Sequence, residues 1–542
     1  MTKKILAIIL ALLMIVPMLA SCGDEEKSDR KDREEREDKE ENEDRDETGD
    51  KEPGGIGDII DGLFGDGEEK PAQTVHQTTG EADVPVSPQL PPELAAIDEY
   101  VDSLASDYDF SGQTFTWIGG GSQAPEDLIE TGDILNDALY YRHRDIEEKF
   151  QVTFTNYIPE SVDGEEYNPI VHEVRRDILA GTNKFNAGYG IAPAVCQPLF
   201  QNGCLTDVSG FEGIDLDREW WTPTLRETYA LGGGVYFLNG DIVTSNYTDA
   251  HVVLFNKQIA DEYGINEMYS LVKDGSWTFD KMFELASYIP TNENEEGAYR
   301  YATPDGMAVL YASGYPVIEF DAEGTPYVQE NLSAELSSLA DKYSAVFGDN
   351  TQTAHAKVMT TDTPEVFKDK YGFEDADEMF SDDMVLFYFT VTSSAIDLRS
   401  EDVVFGILPM PKGSADQDDY ITYGEPWLNF NVFVPKSGND QEMTGVILEA
   451  MAALGRKYLR PAYYDSLLKS RNTYDADSFE MLDNIFESKV YDVTCFGDYS
   501  FSYTNVLNSA IEESSAGFAS RHKLNARMFN RRMQSLLETI KK

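Results

Sequence analysis

Thr114-Phe115-Thr116-Trp117-Ile118, stopped by Gly119-Gly120-Gly121, is the stretch on which the fold turns. It is made of β-branched and aromatic residues without a charge, the composition of a buried strand. Outward from it, residues 134–150 carry Leu135, Ala138, Leu139, Ile146 and Phe150 near 3.6-residue spacing, which predicts an amphipathic helix. Residues 152–157 then read as a second strand, residues 170–179 as a helix and residues 185–191 as a third strand. Further strands are expected at 235–242 and 251–255, the latter running into a helix stopped at Tyr263-Gly264. Such strand–helix–strand repetition implies mainly parallel sheets covered by helices, an α/β class. Ligands of such sheets bind beyond the carboxyl ends of the strands. The turn Gly119-Gly120-Gly121-Ser122 is one such place, where backbone N–H groups can meet a ligand oxygen.

The N-terminus adds a location. Lys3 and Lys4 precede an apolar run over residues 5–20, and Leu19-Ala20-Ser21-Cys22 supplies small residues at its end, as in a secretory signal peptide. The run is short for a membrane span, which takes about 20 residues. The Leu-Ala-Ser-Cys box resembles the lipobox of bacterial lipoproteins. That resemblance implies removal of residues 1–21 and a lipid on Cys22, which places the chain on the extracellular face of the cell membrane; the bland alternative is an ordinary signal peptide. From Gly23 to Glu52 nearly every residue is charged, and Gly, Pro, Thr and acidic residues follow. Residues 22–93 are therefore expected to be a disordered tether, extended by its own charge. Its apolar island at 56–64 reads as linker or as a weak docking helix.

The bulk composition narrows the function. A chain of 542 residues has room for two or three domains. A net charge of −56 argues against nucleic acid, whose phosphates demand clustered Lys and Arg. The 30 Tyr and 28 Phe are enough for a large core with rings left over for a binding surface. Of the four cysteines, Cys196 and Cys204 are close enough in sequence to pair and equally suited to be buried thiols; Cys495 has no obvious mate.

Several segments together resemble family 1 extracellular solute-binding proteins, the receptors of sugar-type ABC importers. They are Asn136-Asp137-Ala138-Leu139-Tyr140-Tyr141-Arg142 with Glu147-Glu148-Lys149-Phe150-Gln151-Val152, then Asp215-Leu216-Asp217-Arg218-Glu219-Trp220-Trp221 and Gly234-Val235-Tyr236-Phe237-Leu238-Asn239-Gly240-Asp241. Phe255-Asn256-Lys257 with Asp261-Glu262-Tyr263-Gly264, Asp274-Gly275-Ser276-Trp277-Thr278, Phe405-Gly406-Ile407-Leu408-Pro409-Met410-Pro411-Lys412 and Val434-Pro435-Lys436 complete the series. The resemblance implies two Rossmann-like lobes joined by a multi-crossover hinge, with a ligand cleft between them. Residues 94–247 plus 404–440 would form one lobe and 248–403 plus 441–542 the other. The chain would cross near 245–251, 402–405 and 437–460. It further implies a monomer that binds a carbohydrate, above all an oligosaccharide, by hinge closure and docks on the transmembrane permease subunits. Where relatives often carry an Asp- and Gly-rich loop, this chain has Asn292-Glu293-Asn294-Glu295-Glu296-Gly297, which puts a bound ion at that loop in doubt; no residue is singled out as a metal ligand and no cofactor is called.

A sugar presents hydroxyls that need hydrogen bonds and flat C–H faces that stack on rings, so its site needs Trp or Tyr beside polar groups. Tyr423-Gly424-Glu425-Pro426-Trp427 is the leading candidate, with Tyr423 and Trp427 as ring platforms. In Phe387-Tyr388-Phe389-Thr390-Val391-Thr392-Ser393, strand alternation would turn Tyr388 and Thr390 away from Phe387 and Phe389. Ser122, Tyr189 and Asp241 complete the candidate set, against a packing role for each. The resemblance places Trp220, Trp221 and Trp277 on packing surfaces, which implies a structural role for them.

Enzyme classes find little support. Gly120-Gly121-Ser122-Gln123-Ala124 loosely matches a nucleophile elbow, but the late His522 lies among Arg and Lys without an acid partner in view. His172-Glu173 lacks the second histidine of a zinc protease, and no pair of carboxylates is singled out for glycoside hydrolysis. A sensor or adhesin lipoprotein with the same fold remains open beside transport.

Overall fold

Two sheets organise the chain in the computed structural model, which describes residues 92–119, 129–160, 168–223, 230–292, 297–322, 325–355, 364–398, 400–438, 440–468, 476–491, 508 and 518–540. The leader, Cys22, the tether as far as residue 91, Gly120, Gly121, Ser122, residues 293–296 and Cys495 lie outside the described residues. Helix α1 (Pro92–Asp107) precedes β1 (Thr114–Ile118), α2 (Ile134–Phe150), β2 (Thr153–Tyr157), α3 (Pro169–Ala180) and β3 (Ala187–Ile191). Apart from α1, which the pattern did not announce, these are the elements expected from periodicity, and their ends have local causes. Asp133 caps α2 by accepting from Leu135 N and Asn136 N, and Gln151 closes it in the left-handed region at φ 55°. Asn168 and Pro169 start α3, and Gly181 at φ 63° ends it. Parallel pairing of β1 with β2 and with β3, and antiparallel pairing of β3 with β9 (Phe430–Phe433), gives a four-stranded sheet in the order β2-β1-β3-β9.

The second sheet contains β4 (His251–Asn256), β5 (Tyr299–Ala302), β6 (Thr353–Ala354), β7 (Val385–Val391) and β8 (Phe405–Pro409) in the order β6-β5-β7-β4-β8. β5 runs parallel to β6 and β7, whereas β4 is antiparallel to β7 and β8. The period of two is visible in its packing. Val253, Phe255, Phe387, Phe389 and Leu408 enter one apolar cluster, and Val252, Leu254, Tyr388, Phe405 and Ile407 enter the other.

Two expectations need correction. The strand expected at 235–242 is reduced to Gly234–Val235, paired with Ala230–Leu231, followed by isolated bridges from Leu238 and Gly240. Where the strand gives out, Gly240 stands at φ 133°, and its backbone passes so close to Trp220 that a Cβ would lie 2.3 Å from the Trp220 carbonyl oxygen, so only glycine fits. Residues 404–409 do not rejoin the first lobe. They form β8 at the edge of the second sheet, and the chain returns to the first sheet only at Phe430. Strand pairing is a long-range choice that the local pattern does not carry.

Helix α5 (Gln441–Leu468) then runs unbroken along both halves. Met443, Val446, Ile447, Ala450, Met451 and Leu454 pack into the cluster that holds Phe115 and Trp117, and Leu459, Ala462 and Tyr463 pack into the one that holds Tyr388. Glu449, buried on this helix, accepts from Tyr100 OH, Trp220 Nε1, Trp221 Nε1 and Asp215 N at 3.0–3.1 Å. Trp220, Trp221 and Trp277 are all buried, as the packing reading requires. Cys196 and Cys204 are buried free thiols, and burial raises both above the usual thiol range. Helix α6 (Phe518–Ile540) closes the described chain.

Two predictions follow from α5. At Gly455 a Cβ would sit 1.8 Å from the Asp241 carbonyl oxygen. Gly455→Ala should therefore lower stability by about 1–3 kcal/mol in urea denaturation, although Ala is the better helix former by roughly 1 kcal/mol. Burial drives the Glu449 carboxyl up to about 7, past the pull of its four donors. A folded pKa above the unfolded value of about 4.3 makes this stabilisation complete below that pH and lost as pH rises through about 7. Between pH 5 and pH 8, wild type should lose about 1–3 kcal/mol more stability than Glu449→Gln, whose amide does not titrate.

Candidate functional site

The two sheets meet through the residues that leave one and enter the other. On the first sheet, β1 ends at Ile118 and Gly119, and β3 ends at Tyr189-Gly190-Ile191 beside the start of β9. The Tyr189 ring stacks on Phe430 with centroids 5.0 Å apart and planes 16° off parallel. On the second sheet, His251 opens β4 opposite Val391, the last residue of β7. Residues 424–430 tie the two ends together. Gly424 bridges Ala250, and Glu425 N donates to Asp249 O at 2.7 Å on one side. On the other side, Asn429 O accepts from Ala192 N at 2.9 Å and Phe430 pairs with Ile191.

Trp427 sits in the middle of this tie and is half-buried, whereas the other four tryptophans are each at most 4% exposed. Its backbone N donates to Glu425 Oε1 at 3.1 Å, and Glu425 Oε2 lies 3.1 Å from His251 Nε2. Tyr423 is buried, sandwiched between Tyr311 at 4.6 Å and His251 at 6.1 Å. Below this layer Asp249 is fully buried between Lys489 Nζ at 3.1 Å and Tyr491 OH at 2.7 Å. Lys489 Nζ also donates to Asn246 O. Burial raises the Asp249 carboxyl despite both partners and lowers the Lys489 amine despite Asp249, so each charge depends on the other.

The remaining candidates lie in different surroundings. The Asp241 carboxylate is buried and engaged by Tyr247 OH at 2.6 Å, Asn246 Nδ2 at 3.2 Å and Arg456 at 3.3 Å, which makes it a brace between the crossover and α5. Tyr388 does turn away from Phe387 and Phe389, but into core: its OH donates to Asp377 at 2.8 Å and its ring packs 5.4 Å from Phe380. Burial, with the Asp377 charge, pushes that phenol well above its usual range. Thr390 donates to Ser394 Oγ at 2.8 Å. Ser122 lies outside the described residues. The structure thus brings Tyr423, Trp427 and Tyr189 to the junction and leaves Tyr388 and Asp241 in packing and bracing positions. It adds His251, Glu425 and Phe430, which no spacing in the sequence connects. Among the described residues no group of His, Cys, Asp or Glu is arranged to hold a metal ion, and no helix is long and apolar enough to cross a membrane.

No protein-family model matches the sequence, and no curated protein does. Solved structures do. The sugar-binding protein MalE from the phytopathogen Xanthomonas citri superposes with a TM-score of 0.50 at 11% identity, over 79% of this chain and 98% of that one. A cyclo/maltodextrin-binding protein solved with maltotetraose gives a TM-score of 0.50 at 11% identity, over 77% of this chain and 96% of that one. The fold is therefore that of the periplasmic type of binding protein, two α/β lobes joined by several crossovers.

Asp249→Ala should cost about 3–5 kcal/mol in denaturant titration, because it strands the Lys489 ammonium in the core. The paired change Asp249→Leu with Lys489→Met should recover most of that loss.

Proposed function

We propose that this chain is a lipid-anchored, extracellular substrate-binding protein of an ABC importer that takes a carbohydrate, specifically an oligosaccharide, between its lobes and performs no chemistry on it. The observation that carries the reading is Trp427, a half-buried ring on a segment bonded toward both sheets. A ring so placed gives a sugar face a stacking partner, and the Glu425 carboxylate beside it is an acceptor for hydroxyls. The neighbours of the same fold support the ligand class: one is a sugar-binding protein and the other was solved with maltotetraose.

The tether and anchor rest on Leu19-Ala20-Ser21-Cys22 and the charged run behind it. Residues 1–21 are the leader and 22–93 the tether. One lobe is built on the first sheet from residue 94 to the crossover before His251, with β9 and the first half of α5 added. The other is built on the second sheet through β8, with the second half of α5. Ligand contacts from both lobes would favour a closed state, the usual economy of hinge proteins. The closed monomer would then present both rims to the transmembrane permease subunits.

The chain lacking residues 1–21, screened by thermal shift against maltodextrins and other oligosaccharides, should gain about 2.7 kcal/mol at a hundredfold excess over Kd. No shift with any sugar, together with a shift by another metabolite, would replace the ligand class. By calorimetry, Trp427→Ala should weaken the responding sugar at least about tenfold while circular dichroism shows the fold retained. Tyr388→Phe should leave affinity intact and cost roughly 1 kcal/mol of stability through the lost bond to Asp377.

A further inference from the structure

His251 is 6% exposed, and one of its ring nitrogens is aimed at the loop that carries Trp427. The path has two bonds. His251 Nε2 meets Glu425 Oε2 at 3.1 Å, and the other oxygen of the same carboxylate accepts Trp427 N at 3.1 Å. The loop between Gly424 and Asn429 is anchored by backbone bonds at its ends, and the Glu425 carboxylate adds a side-chain bond to Trp427 N in its middle. We propose that His251 is a positioning residue for Trp427, acting through Glu425, so that the grip on the ligand follows the protonation of this buried imidazole. This deepens the reading above and rests on Trp427 facing the ligand.

The charges around His251 set the direction. Glu425 and Asp249 flank it on the loop and the crossover, and Asp305, which caps helix α4 (Gly306–Ala312) by accepting from Ala308 N, faces it from a third element. Lys489 is held on Asp249, and the neighbouring rings are Tyr423 and, behind it, Tyr311. Across the ladder stand Val391 and then Thr392, which do not titrate. Burial disfavours the imidazolium, but the bond to Glu425 and the charges of Asp305, Glu425 and Asp249 outweigh it, and the ring titrates above its usual value. Below that point the ring donates a charge-assisted hydrogen bond to Glu425. Above it the neutral ring keeps only a bond to a single charge and loses the attraction between opposite charges. The loop therefore loosens, and affinity falls, as pH rises through the raised value.

The test uses the full mature chain labelled with 5-fluorotryptophan, with the Trp427 fluorine resonance assigned through Trp427→Phe. Without ligand, that resonance should shift between pH 5 and pH 9 with a midpoint above about 6.5 in wild type and stay flat in His251→Gln. Glu425→Gln cuts the same link from the less buried side and should also be flat, which keeps the test alive if the histidine variant does not fold. A Trp427 resonance that does not move in wild type, or moves equally in either variant, overturns the proposal. The Kd for maltotetraose should weaken on the order of fivefold from pH 6 to pH 9 in wild type and not in the variants. A fluorine titration with no change in Kd overturns the coupling to binding. If maltotetraose does not bind, the Kd arm uses the sugar that shifts the melt; a chain that binds no sugar loses the functional reading, and the fluorine arm still decides whether His251 positions Trp427.

Discussion

The contact between helix α5 and the crossover at Asp241 is the constraint from which the rest of the junction follows. The helix comes so near that only glycine fits at 455, and it carries Arg456 to the Asp241 carboxylate on the adjoining turn. Tyr247 and Asn246 grip the other oxygen of that carboxylate. One rigid rod is thereby fixed to the strand entering the second sheet, while its first half lies in the core beneath the first sheet. With the rod fixed, residues 424–430 have a defined gap to span, and Trp427 falls in the middle of it.

Around that joint the chain places charge where it is expensive. Lys489 and Asp249 are buried together, and Glu449 is buried under two tryptophans and a tyrosine. Such groups add little net stability compared with apolar replacements, but they tolerate only one arrangement of their partners. Here each one ties segments far apart in the chain: Lys489 to the crossover before β4, and Glu449 on α5 to α1 and to the loop holding Trp220. The polar core of the junction therefore specifies geometry more than it adds stability. His251 belongs to the same system, with one side on the buried acids and the other on the loop that carries Trp427.

Much of the layout was legible in the residues. Phe115 and Trp117, the helix over 134–150 and the strands at 153–157 and 187–191 stand where the periodicity of two and of 3.6 places them. Thr278 caps its helix by accepting from Lys281 N, as its position before Phe279 suggests. Trp427 was legible too, as an aromatic in a turn-rich loop between strands. Tyr388 shows the limit. Alternation correctly separated it from Phe387 and Phe389, yet which face of the sheet is covered depends on the helix Ala376–Ser381 and on Asp377 reaching its hydroxyl. Asp241 likewise carries the right chemistry for a sugar hydroxyl, but Arg456, more than two hundred residues later, occupies it.

By itself the sequence determined the α/β class, the order of strands and helices in the first half, Trp117 in the core and the ring in the 423–427 loop. These depend on side-chain period, capping and turn chemistry, all of which act over a few residues. The tertiary structure alone decided that residues 405–409 stay with the second sheet, that Asp241 and Tyr388 turn inward, and that His251, Glu425 and Trp427 form one chain of bonds. Those outcomes rest on contacts between segments distant along the chain, where many pairings satisfy the local pattern equally and only close packing selects one.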